Sequence, residues 1–343
     1  MKLTRTFHPV GQGAFYSERF YDENEKNVFN MVYDCGSKTK GINLNQIIDS
    51  VFQHNDEINL LFVSHFHEDH VNGIEYLANI HKIKKLVIPS LSTIGANLIL
   101  VDYLYNLHSS SDLNNYANRF IESCYDEETR FDLSNGVEIV KIDDKVPQIP
   151  VHDALWEYLP SCAATEQQDF VTKLIEAVGL QDCYDLFNGR NFVVIRDYFE
   201  KDGNIDRLHN FYKSYFEEKH KDDNFYSMTV LSKAVNDDFK EPICLYTGDF
   251  PSRYSHCRKK LISDYKQYWD DINTIQSPHH GSGRDNHVEI HNVKNRNCVI
   301  SYGKNNQYRH PHKKALINII NSEAIIHLVN EDQSSKYQTV FEF

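Results

Sequence analysis

The sequence predicts an α/β protein with two β-rich ends around a largely helical middle. Two observations carry that reading. Short apolar runs rich in Val, Ile, Leu and Phe recur at both ends, each bounded by turn residues, as buried strands are. Between about residues 97 and 222 the apolar residues instead fall at helical spacing.

In chain order, the predicted strands of the first end are Val28–Asp34, Leu60–Ser64, Lys85–Pro89 and Val137–Ile142. Those of the second are Ile243–Thr247, Thr274–Ser277, Cys298–Tyr302, Ala324–Val329 and Thr339–Phe343. Ile74, Leu77 and Ala78 predict a helix after His70. Leu113, Tyr116 and Phe120 predict a second. Thr165 and Gln168 form a capping box ahead of the stripe Phe170, Val171, Leu174, Ile175 and Val178, and Gly179 supplies the stop. Ile205, Leu208, Tyr212 and Tyr215 predict a further helix. No Gly/Ser/Pro-rich linker and no sequence repeat divides the chain. Residues 1–343 are therefore read as one domain, with approximately 97–222 as helical insertions within it; a discrete helical domain is the alternative.

Composition narrows the function classes. The 343 residues are 41% hydrophobic and 25% charged, enough for a globular core. The net charge is −13, from 36 Lys and Arg against 49 Asp and Glu. That argues against a broad grip on a nucleic-acid backbone and leaves room only for a local basic groove, to which Arg284 and Arg309 are candidates. Seven cysteines, an odd number without CxxC spacing, argue for reduced thiols rather than a disulfide framework or a zinc ribbon. Met1–Arg5 leads into no apolar leader segment, and no run approaches a membrane span. A cytoplasmic protein is expected.

The chemistry concentrates at strand ends. His65-Phe66-His67-Glu68-Asp69-His70 follows the strand Leu60–Ser64 directly. Imidazole and carboxylate are the ligands of borderline and hard divalent cations. His65 and His67 can converge on one ion, and Asp69 and His70 on a second beside it. Leu245-Tyr246-Thr247-Gly248-Asp249 is another strand ending in a carboxylate, with Gly248 allowing a close backbone turn. Ser277-Pro278-His279-His280-Gly281-Ser282 ends a third.

HxHxDH, then Gly-Asp, then His-His-Gly-Ser resembles the metallo-β-lactamase superfamily. Within it, the chain is similar to the nuclease-like domain of ComEC-type competence DNA-channel proteins and to its stand-alone relatives. Val10-Gly11-Gln12-Gly13, Asp34-Cys35-Gly36, Asn224-x-x-Ser227, Ser301-Tyr302-Gly303-Lys304-Asn305-Asn306 and Tyr308-Arg309-His310-Pro311-His312 resemble that branch's further motifs. Ala14 stands where the branch usually has an acidic residue. The likeness covers both β-rich ends and leaves the helical middle aside. It implies an αββα sandwich of two sheets flanked by helices, with two divalent metal ions, zinc or manganese. By resemblance, His65 and His67 hold one ion and Asp69 and His70 the other, Asp249 bridges, and one of His279 and His280, with His280 preferred, completes the ligands of the second ion. His279 then lies nearer the substrate, and Asp34 orients a ligand histidine from outside.

Such a pair of ions lowers the pKa of a shared water and presents a bridging hydroxide as nucleophile. The catalytic candidates are Asp69, His279, His310 and His312; the last two are candidate proton donors or phosphate binders. Ser282, Lys304 and Asn306 are candidate contacts to phosphate oxygens. The β-lactamase and thioesterase branches carry a further histidine between the first motif and the bridging Asp, and no counterpart stands here. The expected activity is therefore hydrolysis of a phosphodiester in nucleic acid or a nucleotide. The alternatives are a carboxylic ester, thioester or lactone hydrolase of the same fold, or a regulatory subunit active only with a partner, which the helical insertion would dock. Stand-alone relatives of this branch occur with phage-defence systems, which suggests that context.

Overall fold

The computed structural model describes residues 1–54, 56–90, 137–142, 147–151, 155–162, 203–218, 226–236 and 242–342, together with residues 173, 176, 177 and 224. Two compact units divide the chain. The first comprises residues 1–89, 133–163 and 227–343, and the second 90–132 and 164–226.

The first unit contains two seven-stranded mixed sheets. The strands of the first sheet are β1 (Lys2–Phe7), β2 (Phe15–Tyr21), β3 (Asn27–Cys35), β4 (Ile58–Phe62), β5 (Ile83–Pro89), β6 (Glu138–Ile142) and β14 (Tyr337–Glu342), in the order β14-β1-β2-β3-β4-β5-β6. Those of the second are β7 (Ile149–Val151), β8 (Trp156–Cys162), β9 (Met228–Ala234), β10 (Cys244–Tyr246), β11 (Thr274–Gln276), β12 (Asn297–Ser301) and β13 (Ile325–Val329), in the order β13-β12-β11-β10-β9-β8-β7. In each sheet one half is an antiparallel meander and the other a parallel set of four: β3 to β6 in the first, β10 to β13 in the second.

Period-two alternation explains the layers. Met31, Tyr33, Leu60 and Phe62 of the first sheet join Tyr158, Val230, Tyr246 and Val299 of the second in one core between the sheets. The residues between them face outward. Leu231, Leu245, Ile275, Cys298 and Ile300 form a second core with Cys257 and Leu261 of α5 (Ser255–Asp264), Ile290 of α6 (Val288–His291) and Ile319 of α7 (Lys313–Asn321). On the first sheet's side, α1 (Leu44–Val51) buries Ile47 and Ile48, and α3 (Ile74–Ile80) buries Ile74 and Leu77. Strands apolar on both faces are thus covered on both, as parallel sheets require. The architecture is the expected αββα sandwich.

All nine predicted strands are present, and five more were not anticipated. β1 and β2 are among those five, and their buried charges account for it. Arg5 and Glu18 face each other across the ladder, fully buried and 2.6 Å apart. Tyr158, Tyr246 and Ser232 of the opposite sheet all donate hydrogen bonds to Glu18. Charge in a strand reads as surface; here it is the hub joining the sheets, and it stays buried because nearly every lone pair is used. β7 and β8 lie inside the span read as helical. β8 carries Pro160 and a buried Glu157 whose carboxylate accepts from Lys233 of β9 at 2.9 Å, so its apolar pattern is interrupted.

Of the second unit, the structure describes α4 (Asn204–Tyr212), continued by one π-helical stretch over Lys213–Glu218. Leu208, Phe211 and Tyr215 are its buried stripe, with Phe211 stacked on Tyr215 at 5.3 Å. The helix expected from Ile205 and Leu208 is there. The stripes at Leu113–Phe120 and Phe170–Val178, and the docking role suggested for the insertion, lie outside the described residues. Among the described residues no helix is long and apolar enough to cross a membrane. The five described cysteines are free and buried.

Candidate metal centre

The site is assembled at the C-terminal ends of the parallel strands of both sheets, the usual place for ligands in such sheets. The strand β4 runs into Ser64 and His65, and the single turn α2 (Glu68–Val71) places Asp69 and His70 on its inner side. From β10 the chain turns at Gly248 (φ +53°) into Asp249. A Cβ at Gly248 would stand 2.6 Å from the Ser64 side chain, so only glycine allows this approach. After β11, His279 and His280 both adopt left-handed backbone (φ +50° and +52°). Such strain costs about 1–3 kcal/mol per residue and persists only where the surroundings enforce it.

Asp249 is the centre. Its Oδ1 lies 3.3 Å from His70 Nε2 and 3.6 Å from His280 Nε2. Its Oδ2 lies 3.5 Å from His279 Nε2 and 3.8 Å from His65 Nε2. His280 Nε2 also lies 3.4 Å from Asp69 Oδ2. The tightest groups are His65, His70 and Asp249, and Asp69, His70 and His280, all buried. His67 is half-buried and stands edge-on to His65, ring centroids 4.6 Å apart, outside those two groups.

The outer nitrogens of His65, His70, His279 and His280 are already committed. Asp34 accepts from Ser64 N and Ser64 Oγ, both at 2.7 Å, and from His70 Nδ1 at 2.8 Å. The one Ser64 hydroxyl proton thus goes to Asp34, so the 2.9 Å contact between Ser64 Oγ and His65 Nδ1 must be donated by the histidine. His280 Nδ1 donates to the Ser301 carbonyl at 3.1 Å, and His279 Nδ1 to Asp285 at 3.1 Å. In the neutral imidazoles the inner Nε2 is then a bare lone pair, aimed at a carboxylate oxygen. Acceptors facing acceptors repel unless a proton or a metal ion sits between them. His70 Nε2, His280 Nε2 and Asp249 Oδ1 are buried with no hydrogen-bond partner, as ligand atoms of a metal would be.

The charges agree. Burial alone would push His70 down, yet Asp249 and Asp34 outweigh it and hold the imidazole well above its ordinary range. Burial would raise Asp249 and Asp69. His279, His280 and His70 hold the first well below the carboxylate range, and Lys38 and His280 the second. His65, by contrast, is pushed well down by burial and by its neighbours His70 and His67, and stays neutral. The pocket favours positive charge, and the donor set of imidazole and carboxylate fits two divalent cations.

The other predicted residues are placed as follows. His310 stands edge-on to His279, centroids 5.6 Å apart, with its Nδ1 buried and without a hydrogen-bond partner among the described residues. Burial, with His279 and His280 adding, lowers its pKa to about 3. Asn306 is committed to its own loop: its amide donates to the Gly303 and His310 carbonyls and accepts from His310 N. Its place is to shape the loop that carries His310. Ser282 donates to Asp285 at 3.1 Å. Lys304 is exposed and pairs with Asp332 at 2.8 Å. His312 is exposed and caps α7, its Nδ1 accepting from Lys314 N at 3.2 Å. Arg284 and Arg309 are exposed.

Sequence reasoning missed Asp285, Ser64 and Lys38. Lys38 Nζ reaches Asp69 Oδ1 at 3.4 Å. Its loop is set by the Val10–Gly13 turn: Lys38 N donates to Gln12 O, Gly36 N to Ala14 O, and Ala14 N to Asp69 O. A Cβ on Gly13 would collide with the carbonyls of Gly36 and Asp69, which explains the glycine there. Nothing in the local sequence marks Lys38. Asp285, six residues beyond His279, carried a signal in being an acid within the turn that follows the histidine pair.

A family profile described as Anti-Pycsar protein Apyc1 matches residues 5–102. That is less than a third of the chain, and it includes all of His65–His70. A comparison with curated protein sequences gave no match. Solved structures similar to the chain include an archaeal metallo-β-lactamase superfamily protein from Sulfolobus tokodaii, 12% identical over 79% of this chain and 77% of that one, TM-score 0.34. Unliganded yeast PDE1 is 9% identical over 98% of this chain and 99% of its own, TM-score 0.47. A metallo-β-lactamase, MIM-1 from Novosphingobium pentaromativorans, is 9% identical over 80% and 76%, TM-score 0.35. Two mixed seven-stranded sheets face to face, with HxHxDH at the end of β4, decide the architecture. The chain has the metallo-β-lactamase fold. Within the metallo-β-lactamase sandwich, the profile accounts for the first-sheet side of the centre, whereas Asp249, His279 and His280 rest on geometry alone.

Proposed function

We propose that the protein is a two-metal-dependent phosphodiesterase acting on a nucleotide. The observation that carries this reading is the set of inward imidazole Nε2 atoms facing the buried oxygens of Asp249 and Asp69. His65 and His67 would hold one ion and Asp69, His70 and His280 the other, with Asp249 between them. When bound, such a pair supplies Lewis acidity and activates a water at neutral pH.

The chain's own residues account for the rest. Asp34 fixes His70, and Ser64 fixes His65, so the ligand nitrogens point inward before any ion arrives. Lys38 sets an ammonium group beside Asp69, where a phosphate oxygen would lie. His310, neutral near pH 7, offers a ring N–H as a hydrogen-bond donor to the phosphate or to the departing oxygen. The profile match to an anti-Pycsar family favours a cyclic nucleotide within the substrate class. By its description that family acts against a defence system, so the phage-related role proposed here is to counter defence rather than to serve in it.

The test is metal content by elemental mass spectrometry, with hydrolysis of bis-p-nitrophenyl phosphate and of a panel of 3′,5′-cyclic nucleotides. About two ions per chain and turnover lost in Asp249→Ala are expected. A protein that takes up neither zinc nor manganese, or one whose phosphodiester turnover survives Asp249→Ala, ends this reading.

A further inference from the structure

We infer that His279 is itself a metal ligand, so that the adjacent histidines His279 and His280 serve two different ions. This rests on the two-ion reading above. Asp249 divides its oxygens between two sets of imidazoles. Oδ1 faces His70 Nε2 at 3.3 Å and His280 Nε2 at 3.6 Å. Oδ2 faces His65 Nε2 at 3.8 Å and His279 Nε2 at 3.5 Å. The second pair is the counterpart of the first, and it gives the ion on the His65 side a ligand from the second sheet.

The backbone supports this assignment. Neighbouring side chains in a strand point to opposite faces, and in a helix they diverge around the axis. His279 and His280 do neither, because both occupy the left-handed region (φ +50° and +52°). The result is two rings 6.3 Å apart with planes at 72°, whose Nε2 atoms reach the two oxygens of one carboxylate.

Asp285 supplies the orientation. It is fully buried, and Arg253 holds it from Nε at 2.9 Å, from Nη2 at 2.7 Å and from its backbone N at 3.2 Å. Ser282 adds a fourth hydrogen bond at 3.1 Å. So anchored, Asp285 accepts the Nδ1 proton of His279 at 3.1 Å. In the neutral ring the Nε2 that remains is a lone pair directed at Asp249 Oδ2, suited to a cation. Asp285 is thus to His279 what Asp34 is to His70, a positioning residue.

The experiment uses the full chain, stripped with chelator and reloaded with zinc, with ion content and affinity read by elemental analysis and calorimetric titration. Wild type should hold two ions. His279→Ala should keep one at wild-type affinity and lose or greatly weaken the other. Asp285→Asn should keep both sites and weaken one by about 10–100-fold. Should His279→Ala fail to fold, nitrogen-15 NMR of wild type replaces it: zinc should move one further histidine Nε2, absent from the Asp285→Asn spectrum at the same zinc level. Two ions at unchanged affinity in His279→Ala, or no zinc-dependent shift at that nitrogen, overturns the assignment and leaves the two-ion centre standing. A wild type that binds no ion overturns the centre itself.

Discussion

The two sheets can be laid over one another strand for strand. Each has three antiparallel strands followed by four parallel ones, and each feeds the centre from the ends of its first two parallel strands: β3 and β4 in one, β10 and β11 in the other. Tyr33 of β3 and Tyr246 of β10 even stack across the interface, 5.0 Å apart. The two halves deliver their proposed ligands differently. The first packs four candidates into six consecutive residues and supports His70 with Asp34 from the neighbouring strand. The second takes Asp249 from one strand end and the histidine pair from the next, and forces the pair into a strained turn. Dense local ligation makes one half a motif; ligation spread over two strand ends makes the other a geometry.

The sharpest way to break the comparison is Asp249→Ala. This one side chain serves both halves, and losing it should remove both ions and reduce phosphodiester turnover to background, read by metal analysis and by rate. Next comes Asp34→Asn, which disturbs His70 directly and His65 only through Ser64. It should weaken the ion on the His70 side by about 10–100-fold and the other by less. Calorimetric titration showing both sites equally weakened would mean that the halves are not independent.

Gly248→Ala tests the tight approach of β10 to Ser64. It should destabilise the metal-free protein by roughly 1–3 kcal/mol in urea unfolding. Gly41→Ala is the control: Gly41 has φ +85° and open space around it, so it should show the backbone cost alone, about 1 kcal/mol. Equal losses would show that the contact with Ser64 matters little.

The last test concerns pH. Burial lowers His8, near the first sheet, and His291, near the second, to about 3; nearby Lys336 and Arg19 add to the first and Arg296 to the second. An unfolded histidine titrates at about 6.5. The unfolded chain therefore takes up protons first. The stability contributed by these neutral imidazoles is full above about pH 6.5 and falls as the pH drops toward 3, by up to about 1.4 kcal/mol per pH unit for each group. His8→Asn and His291→Asn should each flatten the slope of unfolding free energy between about pH 6 and pH 4.5. An unchanged slope would show that other groups carry the acid sensitivity.

The same contrast explains what could be read from sequence. His65 to His70 announced themselves because four ligand types crowd one turn after an apolar run. Gly248 and Asp249 alone read as an ordinary turn; they were legible only by their order between HxHxDH and the histidine pair. Asp285 and Lys38 were not, since their meaning comes from contacts made across loops. His312 and Asn306 illustrate the reverse: residue types suited to catalysis, whose described polar contacts cap a helix and brace a loop. For strands, the pattern succeeded in the apolar parallel strands β3 to β5 and β10 to β12 and missed β1 and β2, where Arg5 and Glu18 lie in the interior.

The pairing of β1 with β14 bears on how the chain is made. Residues 2–7 join residues 337–342 along their whole length. While a ribosome works through the intervening segment, β1 has an open edge, a row of peptide groups waiting for a partner far downstream in the chain. The first sheet therefore closes only once residues 337–342 have been made, and the long loop that must close to bring the two strands together makes this a slow-folding topology.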